Sequence, residues 1–480
     1  MRLLKGMEPE RVLFYFEEIS SIPRGSGKTE RISEYLKGFA IRQSLKYIQD
    51  KNNNIIIFKD GSQGCEKSDP VILQGHMDMV CEKNEGTDID FDRDGLRLKL
   101  CGRVLSAEGT TLGGDDGIAV AYILAILEAD DIKHPPIEAV ITSDEEIGMV
   151  GASALDTSVL SSKRMINLDS EDEGIFIIGC AGGRSVKCHI PVSFKESLGT
   201  LIRLSVKGLK GGHSGEDINR GRGNANKLMG RLLYHIRDRI GLISIDGGSK
   251  DNAIPRRSDA EFIIKDADEA EKITDAITDI FEDIKNEYEF TDPGIELEIE
   301  KKESAKFMVL DKDSADRVLG FLYLCPNAIQ KMSPAIEGLV RTSLNLGIVN
   351  SHEKEIVFSF LLRSSMDSEK MELCSRLDCL TELFCGYTDH SGDYPAWEFN
   401  SDSGLLSIMR ETYEEKYKKS PKITVIHAGL ECGIFNGRIE GLDCVSIGPD
   451  MKDIHTPDES LDLDSVLRTY EFLLSVLERM

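Results

Sequence analysis

Short apolar segments that run straight into acidic or imidazole side chains constrain this chain more than any other feature. Val71-Ile72-Leu73-Gln74-Gly75 leads into His76-Met77-Asp78, and 137–142 leads into Asp144-Glu145-Glu146. Residues 165–168 lead into Asp169, and 443–447 lead into a loop that holds His455. Runs this short, without polar alternation, read as strands buried on both faces. Helical spacing at 8–16, 29–39 and 115–129 supplies the covering layers. The expected fold class is α/β, with a mainly parallel central sheet flanked by helices. In such sheets ligands bind outside the carboxyl ends of the strands, so four strands would deliver His, Glu, Asp and His to one rim.

The middle of the chain has a different pattern. Residues 201–207 alternate apolar and polar side chains, as a half-solvated strand does. Further strands are expected at 259–264, 295–299, 339–348 and 355–362, with helices at 224–237 and 270–286. These read as an α+β layer. The α/β pattern returns after Thr388, with a helix at 403–418, strands at 422–426 and 443–447, and a closing helix at 464–479. A chain of 480 residues exceeds the roughly 250–300 that one core sustains. The expectation is one domain of 1–186 and 389–480 with a second, 187–388, inserted into it. Gly182-Gly183 reads as a turn near that boundary.

Charge narrows the function. Lys and Arg total 58 against 84 Asp and Glu, a net charge of −26. A nucleic-acid partner needs clustered cations and is not expected. A small-molecule or cation ligand is. The first residues lack an apolar signal core, and no stretch reaches the ~18 apolar residues of a membrane span. The 11 cysteines include no C-x-x-C pair, which points to free thiols, a reducing cytoplasm and no zinc ribbon.

Leu112-Gly113-Gly114-Asp115-Asp116-Gly117 adds carboxylates at a helix start. One Asp there is an ordinary cap, but two exceed what a cap needs. A lone histidine or glutamate pair would be unremarkable on a surface; their conjunction at four strand ends is not. Imidazole and carboxylate without thiolate suit Zn²⁺, with Mn²⁺ or Co²⁺ as substitutes. A serine hydrolase is not expected, because no Gly-x-Ser-x-Gly elbow is present.

Gly75-His76-Met77-Asp78-Met79-Val80, Gly113-Gly114-Asp115-Asp116-Gly117, Thr142-Ser143-Asp144-Glu145-Glu146-Ile147-Gly148 and Asn167-Leu168-Asp169 resemble the M20 metallopeptidases. Gly211-Gly212-His213-Ser214-Gly215, Asn252-Ala253-Ile254-Pro255-Arg256, His427-Ala428-Gly429-Leu430-Glu431-Cys432-Gly433 and His455-Thr456-Pro457-Asp458-Glu459 narrow the resemblance to the aminoacyl-histidine dipeptidase branch.

The resemblance implies a catalytic domain carrying two zinc ions and a smaller inserted lid. It implies that His76 and Asp169 hold one zinc, that Glu146 and His455 hold the other, and that Asp115 bridges them. Many relatives have Asn where Asp116 stands. Asp78 would fix the His76 tautomer, and Glu145 would be the general base. His213 would reach the oxyanion, often from the partner subunit of a homodimer. Asn252, Arg363 and the Gly429 backbone would hold substrate, with Arg363 suited to a carboxylate.

The implied reaction is hydrolysis of dipeptides with a free amino terminus, Xaa-His among them. Two metal ions roughly 3.5–4 Å apart bring the pKa of a shared water near 7. A carboxylate left unbound takes that proton and passes it on. The adjacent pair Glu145 and Glu146 divides the two tasks. N-acyl-amino-acid deacylation, carboxypeptidase action on longer chains and metal binding without turnover are the competing readings.

Overall fold

The structure, a computed structural model, describes residues 2–334, 336–400 and 402–480. The chain divides into two compact units. The first comprises Met1–Cys180, Trp397–Val425 and Leu430–Met480; the second comprises Ala181–Ala396 and Ile426–Gly429.

The first unit is built on an eight-stranded sheet. Its order is Lys46–Gln49, Ile55–Lys59, Ile137–Thr142, Val71–His76, Arg164–Asn167, Asp443–Ser446, Ile175–Cys180 and Lys422–Ile426. Neighbours from Ile137–Thr142 to Asp443–Ser446 are parallel, whereas Asp443–Ser446 meets Ile175–Cys180 antiparallel, and Lys46–Gln49, Ile55–Lys59 and Ile137–Thr142 pair antiparallel in turn. The central strands Ile137–Thr142 and Val71–His76 are buried at every position, as their lack of alternation predicts. The α/β class expected from the sequence is the class observed. Register then sets the site: His76 lies opposite Thr142, and Gln74 and Ser446 both lie opposite Asn167. The carboxyl ends are therefore nearly level. The helix Gly114–Glu128, apolar on all sides, is buried along almost its whole length. The Tyr122 hydroxyl, on this helix, donates to the Val466 carbonyl at 2.9 Å, tying it to the closing helix Leu463–Arg479. A small sheet of Leu98–Cys101, Val104–Ala107, Ser460–Asp462 and Met451–Lys452 brackets the loop that carries His455.

The second unit is a nine-stranded sheet whose neighbouring strands pair antiparallel, with helices Ala225–Ile236, Ala270–Glu287, Lys312–Leu324 and Asp367–Leu383 sharing one apolar core with it. Ser258–Ile264 alternates over its first half, but the alternation expected at 339–348 and 355–362 is not seen: Val340–Ser351 and Glu355–Ser364 lie in the middle of the sheet and are buried almost continuously. Gly182-Gly183 is not a turn. Both residues open the strand Gly182–Pro191, opposite Ser364 and Arg363. A side chain on Gly183 would collide with the Tyr394 ring, so glycine is required there by close packing. Strand Gly182–Pro191 pairs with Glu355–Ser364 and Tyr387–Tyr394. The changeover between units therefore falls at 180/181 rather than 186/187. It returns at 396/397 rather than 388/389, where Trp397 pairs with Cys180. Among the described residues, no helix is long and apolar enough to cross a membrane. All 11 cysteines are free thiols.

Candidate active site

The strand ends bring six of the residues picked from the sequence into one cluster in the first unit. His76 Nε2 lies 3.0 Å from Asp115 Oδ1 and 3.6 Å from Asp169 Oδ1. His455 Nε2 lies 3.0 Å from Asp115 Oδ2 and 2.9 Å from Glu146 Oε1. Asp115 thus offers one oxygen to each imidazole. Ligand atoms converge within 4.8 Å in three sets: His76, Asp116 and Asp169; His76, Glu145 and Glu146; Asp115, Glu146 and His455.

Asp78, fully buried, ties the parts together. Its Oδ1 is 3.4 Å from His76 Nδ1 and accepts the Glu145 N–H at 3.0 Å. Its Oδ2 accepts the Ser26 hydroxyl at 2.8 Å and the Glu146 N–H at 3.3 Å. One carboxylate therefore anchors the backbone of the glutamate pair and lies within ion-pair reach of the His76 imidazole. Asp116 Oδ2 accepts the His76 N–H at 3.1 Å.

The electrostatics describe a site that carries too much negative charge for its burial. Burial, reinforced by neighbouring acids, holds Glu145, Asp169 and Asp116 well above the usual carboxylate range, and Glu146 is raised as well. For His455 burial opposes the charge, but the hydrogen bonds to Asp115 and Glu146 outweigh it and lift its pKa to about 11. Buried Asp116 Oδ1 makes no hydrogen bond among the described residues, and buried Glu146 Oε1 meets only the His455 imidazole. Imidazole nitrogens and carboxylate oxygens in this arrangement are the donor set of Zn²⁺ or Mn²⁺ sites. The residues fit divalent cations.

Sequence reasoning assigned no chemistry to the layer beneath. Glu431, fully buried, accepts from Gln74 Nε2 at 2.5 Å and Thr142 Oγ1 at 2.6 Å. Burial raises its pKa to about 7. Gln74 Oε1 in turn accepts from Asn167 Nδ2 at 2.5 Å. This network cross-links three of the four site strands. Its only signal was a Gln and an Asn inside otherwise apolar strands.

The remaining predicted residues belong to the second unit. Arg363 is 6% exposed; its Nη1 donates to Tyr394 Oη at 3.0 Å, and its Nη2 lies 3.3 Å from His213 Nε2. Its Nε makes no hydrogen bond, and it forms no ion pair with a carboxylate among the described residues. His213 sits on a short ladder, paired with Ala253. Asn252 is exposed; its carbonyl accepts the Ser214 N–H at 2.9 Å. Gly429 lies against Tyr394, where an added Cβ would come within 2.7 Å of the ring. Arg363 therefore joins His213 to Tyr394, against which Gly429 also packs.

His427 joins them, its Nε2 2.7 Å from Ser343 Oγ. Burial, then the charges of Arg363 and His213, depress its pKa to about 3. Folded His427 is neutral while an unfolded histidine titrates near 6.5, so the unfolded chain binds more protons between those values. The stabilisation is complete above about 6.5 and drains away toward 3, at up to about 1.4 kcal/mol per pH unit. His427→Asn is expected to lessen the fall of the urea midpoint between pH 6 and pH 4. A slope equal to that of the unsubstituted protein would reject this.

Residues 72–479 match Peptidase family M20/M25/M40, and the chain belongs to that family. The chain is 36% identical over 489 residues to the cytosol non-specific dipeptidase of Escherichia coli (strain K12), with 100% of this chain and 99% of the relative covered. The crystal structure of aminoacylhistidine dipeptidase from Vibrio alginolyticus matches with a TM-score of 0.88 at 37% identity, covering 99% of this chain and 98% of that one. A tripeptidase from Staphylococcus aureus shares the fold, with a TM-score of 0.59 at 15% identity over 98% and 97% of the two chains.

Proposed function

We infer that this chain is a metal-dependent dipeptidase that cleaves dipeptides with a free amino terminus, Xaa-His among them. One observation carries the reading: Asp115 is shared between His76 and His455 while Glu145 stands beside Glu146 in the same cluster. Full-length similarity to a dipeptidase supports it.

We assign His76 and Asp169 to one metal position, Glu146 and His455 to the other, and Asp115 to both. Zn²⁺ is the proposed ion, with Mn²⁺ or Co²⁺ as substitutes. When bound, the ions supply Lewis acidity toward the peptide carbonyl and acidify water. Glu145 takes a proton from the attacking water at a carboxylate oxygen and returns it to the leaving amine nitrogen. Desolvation in its partly buried position raises its proton affinity toward that exchange. Asp78 holds the His76 ring in the tautomer whose Nε2 is free to ligate.

Arg363 is proposed to bind the C-terminal carboxylate, with His213 placed to stabilise the oxyanion and Asn252 and the Gly429 backbone contacting substrate. An arginine this buried, with no acidic partner among the described residues, suits an anionic ligand. Arg363→Lys is expected to raise KM at least about tenfold with metal content intact, because a point charge replaces a planar fork. An unchanged KM would remove Arg363 from this role. A cytoplasmic location and a homodimeric assembly complete the proposal, on family resemblance.

The substrate class is tested by comparing Gly-His with N-acetyl-Gly-His. Cleavage of the free dipeptide alone is expected. Turnover of only the acetylated compound would replace this reading with deacylation.

A further inference from the structure

The glycine-rich segment before the helix Gly114–Glu128 is gripped from both sides by charged groups outside the proposed ligand set. Glu459 is 2% exposed. Its Oε2 accepts the N–H groups of Leu112 at 2.6 Å and Gly113 at 2.9 Å. Its Oε1 accepts those of Gly114 at 2.8 Å and Asp115 at 3.3 Å. A single carboxylate thus satisfies four successive backbone donors in the stretch of non-helical backbone that leads into the regular helix, where Asp115 and Asp116 depart from helical geometry. Arg24, also 2% exposed, works from the carbonyl side. Its Nη1 donates to the Met77 and Asp78 carbonyls, each at 3.0 Å, and its Nη2 donates to the Gly113 carbonyl. Glu459 and Asp78 carry the charges that balance Arg24. A Cβ on Gly113 or Gly117 would collide with the Arg24 guanidinium. Those glycines in the Gly-Gly-Asp-Asp-Gly motif are therefore explained by the approach of this side chain.

The connectivity gives the grip its meaning. Glu459 follows His455 by four residues in a loop where Asp453 and His455 both adopt left-handed backbone, at φ 53° and 59°. The His455 side chain is 44% exposed, the most open of the five proposed ligands. Glu459 fastens this loop to the Asp115 segment. Arg24 fastens the same segment to the backbone beside His76. One clamp spans the ligands of one metal position, the other spans those of the second, and both act through the segment that carries the shared Asp115.

We propose that Glu459 and Arg24 are positioning residues that set the spacing of His455, Asp115 and His76 before metal arrives. The proposal rests on the metal-centre reading given above and deepens it.

Glu459→Gln isolates the clamp. It preserves shape, but its amide nitrogen must face one of the two donor pairs, leaving two N–H groups unsatisfied. The full chain would be stripped of metal and titrated with Zn²⁺ against a chromophoric chelator. Amide exchange across residues 112–115 would be followed in the metal-free state. The variant is expected to bind at least one equivalent of zinc about 10–100-fold more weakly. Amides 112–115 are expected to be protected in metal-free wild type and to lose protection in the variant. Zinc binding by wild type with equal affinity in the variant would overturn the proposal alone. Wild type that takes up no zinc would overturn the metal-centre reading and the proposal with it. Should the variant fail to fold, wild type still decides: amides 112–115 that become protected only after zinc is added would show that metal builds the segment, contrary to the proposal.

Discussion

Glu145→Gln is expected to lower kcat for Gly-His by about 10²–10⁴-fold while zinc content and fold remain those of the unsubstituted protein. The expectation follows from the division of labour between two neighbours. Glu146 Oε1 lies 2.9 Å from His455 Nε2, inside the ligand cluster. Glu145 has its N–H anchored on Asp78, and among the described residues its carboxylate faces the cluster itself. An amide at 145 keeps the volume but cannot carry a proton from water to the leaving amine. Elemental analysis alongside steady-state kinetics checks both halves. A variant that loses zinc together with activity would make Glu145 a ligand instead. A variant with full kcat would remove it from proton transfer.

Asp115→Asn is expected to have a wider effect, because two metal positions depend on one carboxylate. Each Asp115 oxygen faces a different imidazole at 3.0 Å. An asparagine retains one acceptor oxygen and turns an NH₂ toward the other side. Loss of at least one zinc equivalent is expected, with hydrolysis falling to the level of metal-stripped protein. Asp116→Asn serves as the comparison. Asp116 is fully buried, and its Oδ2 is engaged by the His76 N–H. If Asp116→Asn empties the centre while Asp115→Asn leaves it loaded, the bridging assignment passes to Asp116.

Much of this was legible in the sequence because strand ends mark themselves. Val71–His76 and Ile137–Thr142 are buried at every position, so the first polar groups after them had to lie at the rim. The pairing of His76 with Thr142 then made the rims coincide. What sequence could not supply was the support. Arg24 stands alone in a loop, and nothing local shows that its guanidinium crosses to Gly113. Glu459 and Glu431 lay within noticed motifs, but their partners are far away in the chain. Such roles depend on tertiary contacts with no periodicity to betray them. Gly182-Gly183 misled for a related reason. Paired glycines ordinarily signal a turn, whereas here Gly183 makes room for the Tyr394 ring. Tyr394 and His427 were likewise invisible as companions of Arg363, because the segments that carry them meet only in the folded second unit.

The central claim is that hydrolysis depends on metal held by the His76, Asp115, Glu146, Asp169 and His455 cluster. Its most direct test is Gly-His hydrolysis by metal-stripped protein as Zn²⁺ is added back in counted equivalents. The account predicts no turnover without metal and a rise that levels off at two equivalents per chain. Full turnover in the stripped protein, or zinc uptake that leaves it inert toward dipeptides, would contradict it.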